Sequence, residues 1–278
     1  MWFLHINLFN FSENSLTTPA YFFVIHGSRN SETLLAASQL KLLLTEKVKL
    51  RTTVKLSCLE SNLPSSSSEN ICILDYPQTP LIEIAALELA PLPLNQSLVG
   101  FARRASSLGF SQIKVVPLFL APGVHVTEDI PSEISLAIKQ INNLVTIELS
   151  TFLGKYSEMA RLLTKKFSNL SAQKRILIAH GSRLSSVASY YQNLAGTVNA
   201  VMAYWSSAPS LEQQVKAQVK AGTTRIAILP YFLFPGKITQ AIAVKVASLQ
   251  AEYPQVELLL GQPLGATEEI AELIAREI

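Results

Sequence analysis

An internal repeat is the feature that most constrains the fold of this 278-residue chain. Residues 21–29 read YFFVIHGSR and residues 175–183 read RILIAHGSR. Each is followed by a second shared segment, VVPLFLAPG at 115–123 and ILPYFLFPG at 228–236. Two motifs in the same order, each at the end of an apolar run, indicate duplication. The chain is therefore expected to hold two similar domains.

The repeat also suggests the domain boundaries. We expect an N-terminal tail at residues 1–19, a first domain at 20–152 and a second domain at 153–278. Domains usually have about 100–200 residues, so each half is long enough to fold around a core. Hydrophobic residues make up 49% of the chain and charged residues 15%, which excludes a disordered protein.

Strand-like and helix-like segments alternate in both halves. Short apolar runs such as YFFVIH suit strands buried on both faces of a sheet. We predict further strands at 52–59, 82–89, 113–120, 145–149, 175–180, 199–205, 225–233 and 256–260. We predict helices at 32–47, 94–107, 131–142, 185–195, 210–221, 238–252 and 266–277, and a flexible serine loop at 65–68. The alternation favours an α/β fold with parallel sheets and helices on both faces.

Charge and cysteine content exclude several classes of function. The net charge is +3, and no run of Lys and Arg reaches four residues, so we expect no nucleic-acid partner. Cys58 and Cys72 form no disulfide framework and no CxxC metal motif. The first residues lack a basic secretion-signal pattern, and the uncharged stretch at 184–211 is too polar to span a membrane. We expect a cytoplasmic protein with no membrane partner.

Two histidines follow strands that should end at the same sheet edge. His26 follows the first strand, and His125 lies just beyond the strand at 113–120. Ligands of parallel sheets bind outside the carboxyl ends of the strands. Converging imidazoles there can bind a divalent metal or share metal binding with proton transfer. The alternative is that His26 is a structural histidine bonded to a backbone carbonyl.

The residues beside these histidines suit an anionic ligand. Gly27 and Gly123 favour turns in which the backbone passes close to a ligand. Ser28 and Arg29 then open a helix, where backbone amides and a guanidinium attract anions. The alternative is that Ser28 caps the helix and Arg29 forms a surface ion pair.

A carboxylate is expected near the same edge. Glu88 lies among apolar residues at the end of the strand at 82–89, where it can accept a proton or simply be solvated. Glu128 and Asp129 follow His125 closely. We interpret Asp129 as a helix cap rather than a ligand.

The second half keeps HGSR, with His180 and Arg183, but loses the partners. Alignment of the repeats places Lys237 opposite Val124, Ile238 opposite His125 and Trp205 opposite Glu88. Chemistry is therefore expected in the first half alone. The second half should supply a wall of the cleft and positive charge from Lys237 and Arg183.

HGSR after an apolar strand, followed by PLFLAPGVHVTEDIP, resembles the sirohydrochlorin chelatases of the class II chelatase group. GVHVTEDIP is the more specific motif, and the resemblance to the long two-domain members extends from about residue 20 to the end. It implies an α/β fold of two similar doubly wound parallel-sheet domains facing across a cleft. It also implies sirohydrochlorin, an octacarboxylate tetrapyrrole, as substrate and Fe²⁺ or Co²⁺ as the metal substrate, with no cofactor retained. His26 and His125 match the family's metal-handling histidines, and Glu88 matches a candidate proton acceptor.

The cleft walls and rim would then contact the tetrapyrrole. We expect Ser28, Arg29, Gly123, Arg183 and Lys237 to bind its carboxylate fringe. A non-catalytic carrier of metal or metallated tetrapyrrole is the alternative function, and a periplasmic-type binding protein is a more distant one. Because the duplication can replace contacts between half-length chains, we expect a monomer or weak homodimer.

Overall fold

The computed structural model describes residues 18–60 and 79–278, and for residues 52–60 it describes the backbone alone. Most of the expected tail at 1–19 and the serine run at 65–68 therefore lie outside the described residues. Within the described ranges, no helix combines the length and the apolar character that a bilayer span requires.

Each half of the chain forms a four-stranded parallel sheet. The first sheet has the order β2-β1-β3-β4 and the second the order β6-β5-β7-β8, so the strand order repeats along the chain. The strands are β1 (Ala20–Ile25), β2 (Ile82–Ala86), β3 (Gln112–Pro117), β4 (Thr146–Leu149), β5 (Lys174–Ala179), β6 (Val201–Tyr204), β7 (Arg225–Pro230) and β8 (Glu257–Leu260).

Helices connect the strands and cover the sheets. They are α1 (Ser31–Glu60), α2 (Leu94–Ser107), α3 (Ile130–Ile141), α4 (Met159–Ser168), α5 (Ser185–Thr197), α6 (Leu211–Lys220), α7 (Lys237–Glu252) and α8 (Glu268–Glu277). A π-helical turn, His125–Asp129, precedes α3, and a 3₁₀ turn, Leu153–Lys155, precedes α4. Two α/β units with parallel sheets confirm the predicted fold class.

One predicted strand is wrong and one helix was missed. Residues 52–59 alternate in hydropathy like a strand, but α1 continues through them to Glu60. No Gly or Pro occurs between residues 31 and 60 to end the helix, and eight alternating residues are too few to compete with its extension. Helix α4 was not predicted, although Met159, Leu163 and Phe167 recur at helical spacing and are buried.

The two faces of the first sheet have different partners. Phe22 and Val24 of β1 pack with α2 and α3, whereas the alternate residues Phe23 and Ile25 belong to a core shared with the second half. That shared core also contains Leu177 of β5, and α1 packs against α8. A continuous apolar core therefore joins the halves and holds the ends of both sheets in a fixed relation.

Candidate metal centre

His26 and Glu88 are brought together by the pairing of β1 with β2. The parallel pairing continues past both strands, since the backbone N–H of Glu88 donates to the carbonyl oxygen of His26 at 3.0 Å. Gly27 has a φ of +106°, and a Cβ there would lie 2.0 Å from the carbonyl oxygen of Glu88. Glycine is therefore required for this approach. Nε2 of His26 lies 3.9 Å from a carboxylate oxygen of Glu88.

His125 reaches the same place from the segment after β3. Its ring stands nearly perpendicular to that of His26, at 81°, with the ring centroids 4.9 Å apart. The Phe119 ring lies 6.4 Å from the His26 ring and 5.9 Å from the His125 ring, centroid to centroid. Both predicted histidines thus meet beside an aromatic side chain that the sequence interpretation did not single out.

Asp129 is a partner of His125, and the cap interpretation is wrong. Its Oδ2 atom lies 2.7 Å from Nδ1 of His125, and its side chain makes no capping hydrogen bond to α3. The π-helical turn before α3 is already helical, and Ile130 N–H donates to the carbonyl oxygen of His125. The start of α3 therefore needs no side-chain acceptor at Asp129. The four-residue spacing within one helical turn is the signal that could have indicated this pair.

The ligand atoms of His26, Glu88 and His125 all lie within 4.8 Å of one another. The side chains are 55%, 50% and 32% exposed, respectively, so an ion from solvent can reach them. When Nδ1–H of His125 donates to Asp129, the Nε2 lone pair is free for a metal. Two imidazoles and a carboxylate suit Fe²⁺, Co²⁺ and neighbouring divalent ions.

A cleft of about 550 Å³ extends from His26 towards the second half of the chain. Ser28 and Arg29 line it on one side, and Phe232, Phe234 and Lys237 line it on the other. This volume is typical of sites for small organic ligands. His26 belongs both to the cleft and to the metal-ligating cluster.

The structure does not bring every predicted binding residue to this cleft. Arg183 and Gly123 are not among its lining residues. A Cβ at Gly123 would meet nothing within 4 Å, so no close backbone approach within the chain explains that glycine. Ser28 Oγ accepts a hydrogen bond from Asn30 N–H at 3.0 Å, one residue before α1 begins, which orders the turn between His26 and the helix.

The second half has no such cluster of ligands in the described residues. Its equivalent of Glu88 is Ser206 rather than Trp205, because Ser206 N–H donates to His180 as Glu88 N–H does to His26. The predicted alignment of Trp205 with Glu88 is wrong by one residue, because the connection from β6 to α6 is one residue shorter than that from β2 to α2. Ser206 Oγ lies 3.3 Å from Nδ1 of His180.

Strand register supports the alignment of Ile238 with His125. Pro117 of β3 and Pro230 of β7 take equivalent positions beside the first strand of each sheet. His125 and Ile238 each follow that proline by eight residues. An apolar side chain therefore replaces the second imidazole in the second half.

Comparison with known proteins finds relatives by sequence and by fold. A sirohydrochlorin ferrochelatase of Priestia megaterium is 30% identical over 129 residues, which cover 43% of this chain and 48% of that protein. The match thus spans about half the length of this curated relative. SirB from Bacillus subtilis, solved with Fe³⁺, superposes with a TM-score of 0.67 at 20% identity over 94% of each chain. The sirohydrochlorin chelatase SirB from Bacillus subtilis subspecies spizizenii, solved in complex with cobalt, gives 0.64 at 19% identity, also over 94% of each chain.

These structural neighbours share the fold of both halves. A sequence profile of the CbiX family matches residues 75–170 and again 174–278, one match in each half of the repeat. Because these two matches cover most of the chain, the protein belongs to the CbiX family.

Proposed function

We propose that this protein is a sirohydrochlorin chelatase, which inserts Fe²⁺ or Co²⁺ into sirohydrochlorin and releases two protons. The observation that carries the proposal is the cluster of His26, Glu88 and His125, which has ligand atoms within 4.8 Å of one another and meets the cleft at His26. The family match and the name of the Priestia megaterium relative support it. The metal is a substrate here, and no retained cofactor is proposed.

The first requirement is a site that binds the metal and then releases it. Imidazoles bind Fe²⁺ and Co²⁺ without the tight hold of a thiolate cage. Asp129 orients His125 through Nδ1, and Nδ1 of His26 lies 3.3 Å from the carbonyl oxygen of Gly27, so each histidine has Nε2 for the ion. Because the side chains of His26 and Glu88 are about half-exposed, the ion can move from them to a macrocycle that enters the cleft.

The second requirement is an acceptor for the protons. Metal insertion replaces two ring N–H protons with M²⁺, so two protons must leave as the metal–nitrogen bonds form. The carboxylate of Glu88 lies 3.9 Å from Nε2 of His26, which lines the cleft, and it can take each proton in turn and pass it to water. His26, 3.9 Å away, is a second acceptor once its Nε2 releases the ion.

The third requirement is a surface that fits a flat ring with a fringe of carboxylates. Phe232 and Phe234 provide an apolar wall, and Arg29 and Lys237 place positive charge on the same cleft. Arg29 offers paired N–H donors to a carboxylate, and Lys237 offers a point charge. We assign carboxylate binding to these two cations and not to Arg183.

Anaerobic absorbance of sirohydrochlorin with catalytic amounts of protein tests the proposal, with Fe²⁺ and Co²⁺ in parallel. We expect many turnovers with at least one metal above the uncatalysed rate. Glu88→Gln keeps the shape of the side chain and removes its basicity, so it should lower kcat by about 10²-fold or more. A spectral change that stops at one equivalent of product contradicts the proposal and favours the non-catalytic carrier.

Several related expectations stay predictions. They are the domain boundaries at 20–152 and 153–278, the monomer or weak homodimer, and the cytoplasmic location. Titration with each metal in the same assay would also rank Fe²⁺ against Co²⁺ by kcat/KM.

A further inference from the structure

The segment that leads from β3 into His125 is held partly by residues of the second half. We call residues 118–124 the histidine loop. Its first residue is fixed by β1, since Leu118 N–H donates to the carbonyl oxygen of Val24 at 2.7 Å. The loop carries Phe119, whose ring lies beside both histidines. Any shift of this loop therefore moves His125 relative to His26.

Two hydroxyls from beyond the first sheet fix the middle of the histidine loop. Tyr231 donates to the carbonyl oxygen of Leu120 at 3.2 Å. Tyr190 donates to the carbonyl oxygen of Gly154 at 2.7 Å, and Gly154 N–H donates to the carbonyl oxygen of Phe119 at 2.9 Å. The two tyrosine oxygens lie 3.3 Å apart. The direct hydrogen bond to Leu120 and the pair of hydrogen bonds through Gly154 therefore begin at neighbouring hydroxyls.

The hydroxyls are well placed to act as fixed donors. Tyr231 is 3% exposed, and a buried phenol needs a hydrogen-bond partner. Burial raises the pKa of Tyr231 well above its ordinary value, so the hydroxyl keeps its proton. Each hydroxyl has a single proton, so both hydrogen bonds to carbonyl oxygens form when neither tyrosine donates to the other across the 3.3 Å between their oxygens.

The close approach of Gly154 to Leu120 and to the Tyr190 hydroxyl is a second constraint on the histidine loop. A Cβ there would lie 2.3 Å from the carbonyl oxygen of Leu120 and 2.7 Å from the Tyr190 hydroxyl. The backbone of Gly154 therefore fills the space between the histidine loop and the tyrosines. A larger residue at this position would displace one or the other.

These tyrosines break the symmetry of the repeat. Tyr231 takes the place of Leu118 when PYFLFPG is aligned with PLFLAPG. Tyr190 takes the place of Ala36, since each is the sixth residue of the helix that follows the HGSR motif. The donors thus belong to the half that lacks the metal-ligating cluster, and they reach into the half that has it.

We propose that Tyr231 and Tyr190 are positioning residues for the metal centre. They fix the histidine loop so that His125 meets His26 and Glu88 in a geometry that binds the ion. The effect on turnover rests on the proposed function, whereas the effect on metal binding does not. The second half thereby contributes to the metal centre without supplying a ligand.

The test compares Tyr231→Phe, Tyr190→Phe and the control Tyr204→Phe. Tyr204 is a buried tyrosine of the same aromatic cluster, and its hydroxyl accepts from Gln192 Nε2 rather than contacting the histidine loop. Each protein is titrated anaerobically with Co²⁺, and its visible absorbance bands, thermal unfolding and sirohydrochlorin turnover are recorded. Tyr231→Phe should bind Co²⁺ about tenfold more weakly with altered bands and lower kcat/KM by at least as much, because displaced reacting groups are costly.

Tyr190→Phe should show the same changes more weakly, since it acts through Gly154. Co²⁺ affinity and bands of Tyr231→Phe equal to those of Tyr204→Phe would overturn the proposal. If Tyr231→Phe does not fold, Tyr190→Phe decides the matter by the same comparison. If the wild-type protein binds Co²⁺ without turnover, the proposed function fails, and the difference in Co²⁺ affinity still decides whether the tyrosines position the site.

Discussion

The carboxylate of Asp129 lies 2.7 Å from Nδ1 of His125, one helical turn further along the chain. The two residues form the first and last positions of the π-helical turn that precedes α3. A carboxylate at Nδ1 favours the tautomer whose Nε2 is unprotonated, and it fixes the orientation of the ring. His125 thus has the tautomer and orientation that the proposed role as a metal ligand requires.

Asp129→Asn should weaken metal binding while leaving the fold intact. An amide is a poorer acceptor than a carboxylate and can also present an N–H to Nδ1, which favours the wrong tautomer. Loss of such a partner typically costs 10- to 100-fold in metal affinity. Co²⁺ titration measures the effect, and Glu128→Gln, at the exposed neighbouring position, is the matched control. Equal affinities for both variants would mean that Asp129 does not tune His125.

The asymmetry of the repeat gives a second prediction. His26→Ala should lower the proposed chelatase activity by at least about a hundredfold, because it removes a proposed ligand of the ion. The side chain is 55% exposed, so the free energy of unfolding should change by about 0.5 kcal/mol or less. His125→Ala should abolish activity in the same assay.

His180→Ala is the control for both histidine variants. His180 follows β5 as His26 follows β1, but it lies beside Ser206, and Ile238 takes the sequence position of the second imidazole. Activity should stay close to that of the wild type. A similar loss in His26→Ala and His180→Ala would rule out a single metal centre in the first half.

The fold could be predicted well because the same pattern of apolar runs and motifs occurs in both halves of the sequence. The apolar runs of β1 and β5 and the shared motifs fix where strands end, and parallel sheets place those ends at one edge. The error at residues 52–59 arose where hydropathy alternates over too few residues to separate strand from helix. The same reasoning could bring His26, Glu88 and His125 together, because all three follow strand ends.

The finer parts of the site depend on contacts that the hydrophobic periodicity of the sequence does not predict. The role of Asp129 depends on a π-helical turn, which shifts side chains relative to an ordinary helix start. The placement of Arg29 and Lys237 in one cleft, without Arg183, depends on how the halves pack. The hydrogen bond from Tyr231 to Leu120 joins residues 111 positions apart.

Gly27→Ala should destabilise the protein and disturb the site together. The residue has a φ of +106°, and the new Cβ would lie 2.0 Å from the carbonyl oxygen of Glu88. The left-handed conformation alone costs about 1–2 kcal/mol, and displacement of the backbone at Glu88 adds to it. Urea unfolding should therefore show a loss of about 2 kcal/mol or more, with a fall in activity.

Gly100→Ala should have the opposite effect on stability. Gly100 lies inside α2, and a Cβ there meets nothing within 4 Å. The substitution should stabilise the protein by about 1 kcal/mol, because alanine favours the helix. A gain in stability for Gly27→Ala like that for Gly100→Ala would argue against the close approach.

Glu83 should contribute to stability in a way that depends on pH. Burial by itself raises the pKa of this carboxyl, but hydrogen bonds from Lys41 and Arg104 outweigh it and hold the pKa below the ordinary value of 4.5. A lowered pKa in the folded state means that the stabilisation is complete above pH 4.5 and is lost as pH falls through the folded-state value.

Glu83→Gln should therefore lower the free energy of unfolding by about 1 kcal/mol at pH 7 and by less at pH 3. Urea unfolding at both pH values measures the difference. Glu257→Gln, at a more exposed ion pair with Arg225, is the matched control and should lower the free energy of unfolding less at pH 7. A loss for Glu83→Gln that is equal at the two pH values would show that the ion pairs are not its cause.

Arg29 and Arg183 occupy equivalent positions in the two HGSR motifs, yet Arg29 alone of the pair lines the cleft. Arg29→Ala should raise the KM for sirohydrochlorin by about five- to tenfold, because a charge-assisted hydrogen bond to a carboxylate is lost. The kcat should change little, since that contact persists from the bound ring to the transition state. Steady-state kinetics at two ionic strengths measures both quantities, and salt should reduce the difference in KM. Arg183→Ala should leave KM unchanged, and an equal rise in both variants would mean that the substrate extends beyond this cleft to the second half's own motif.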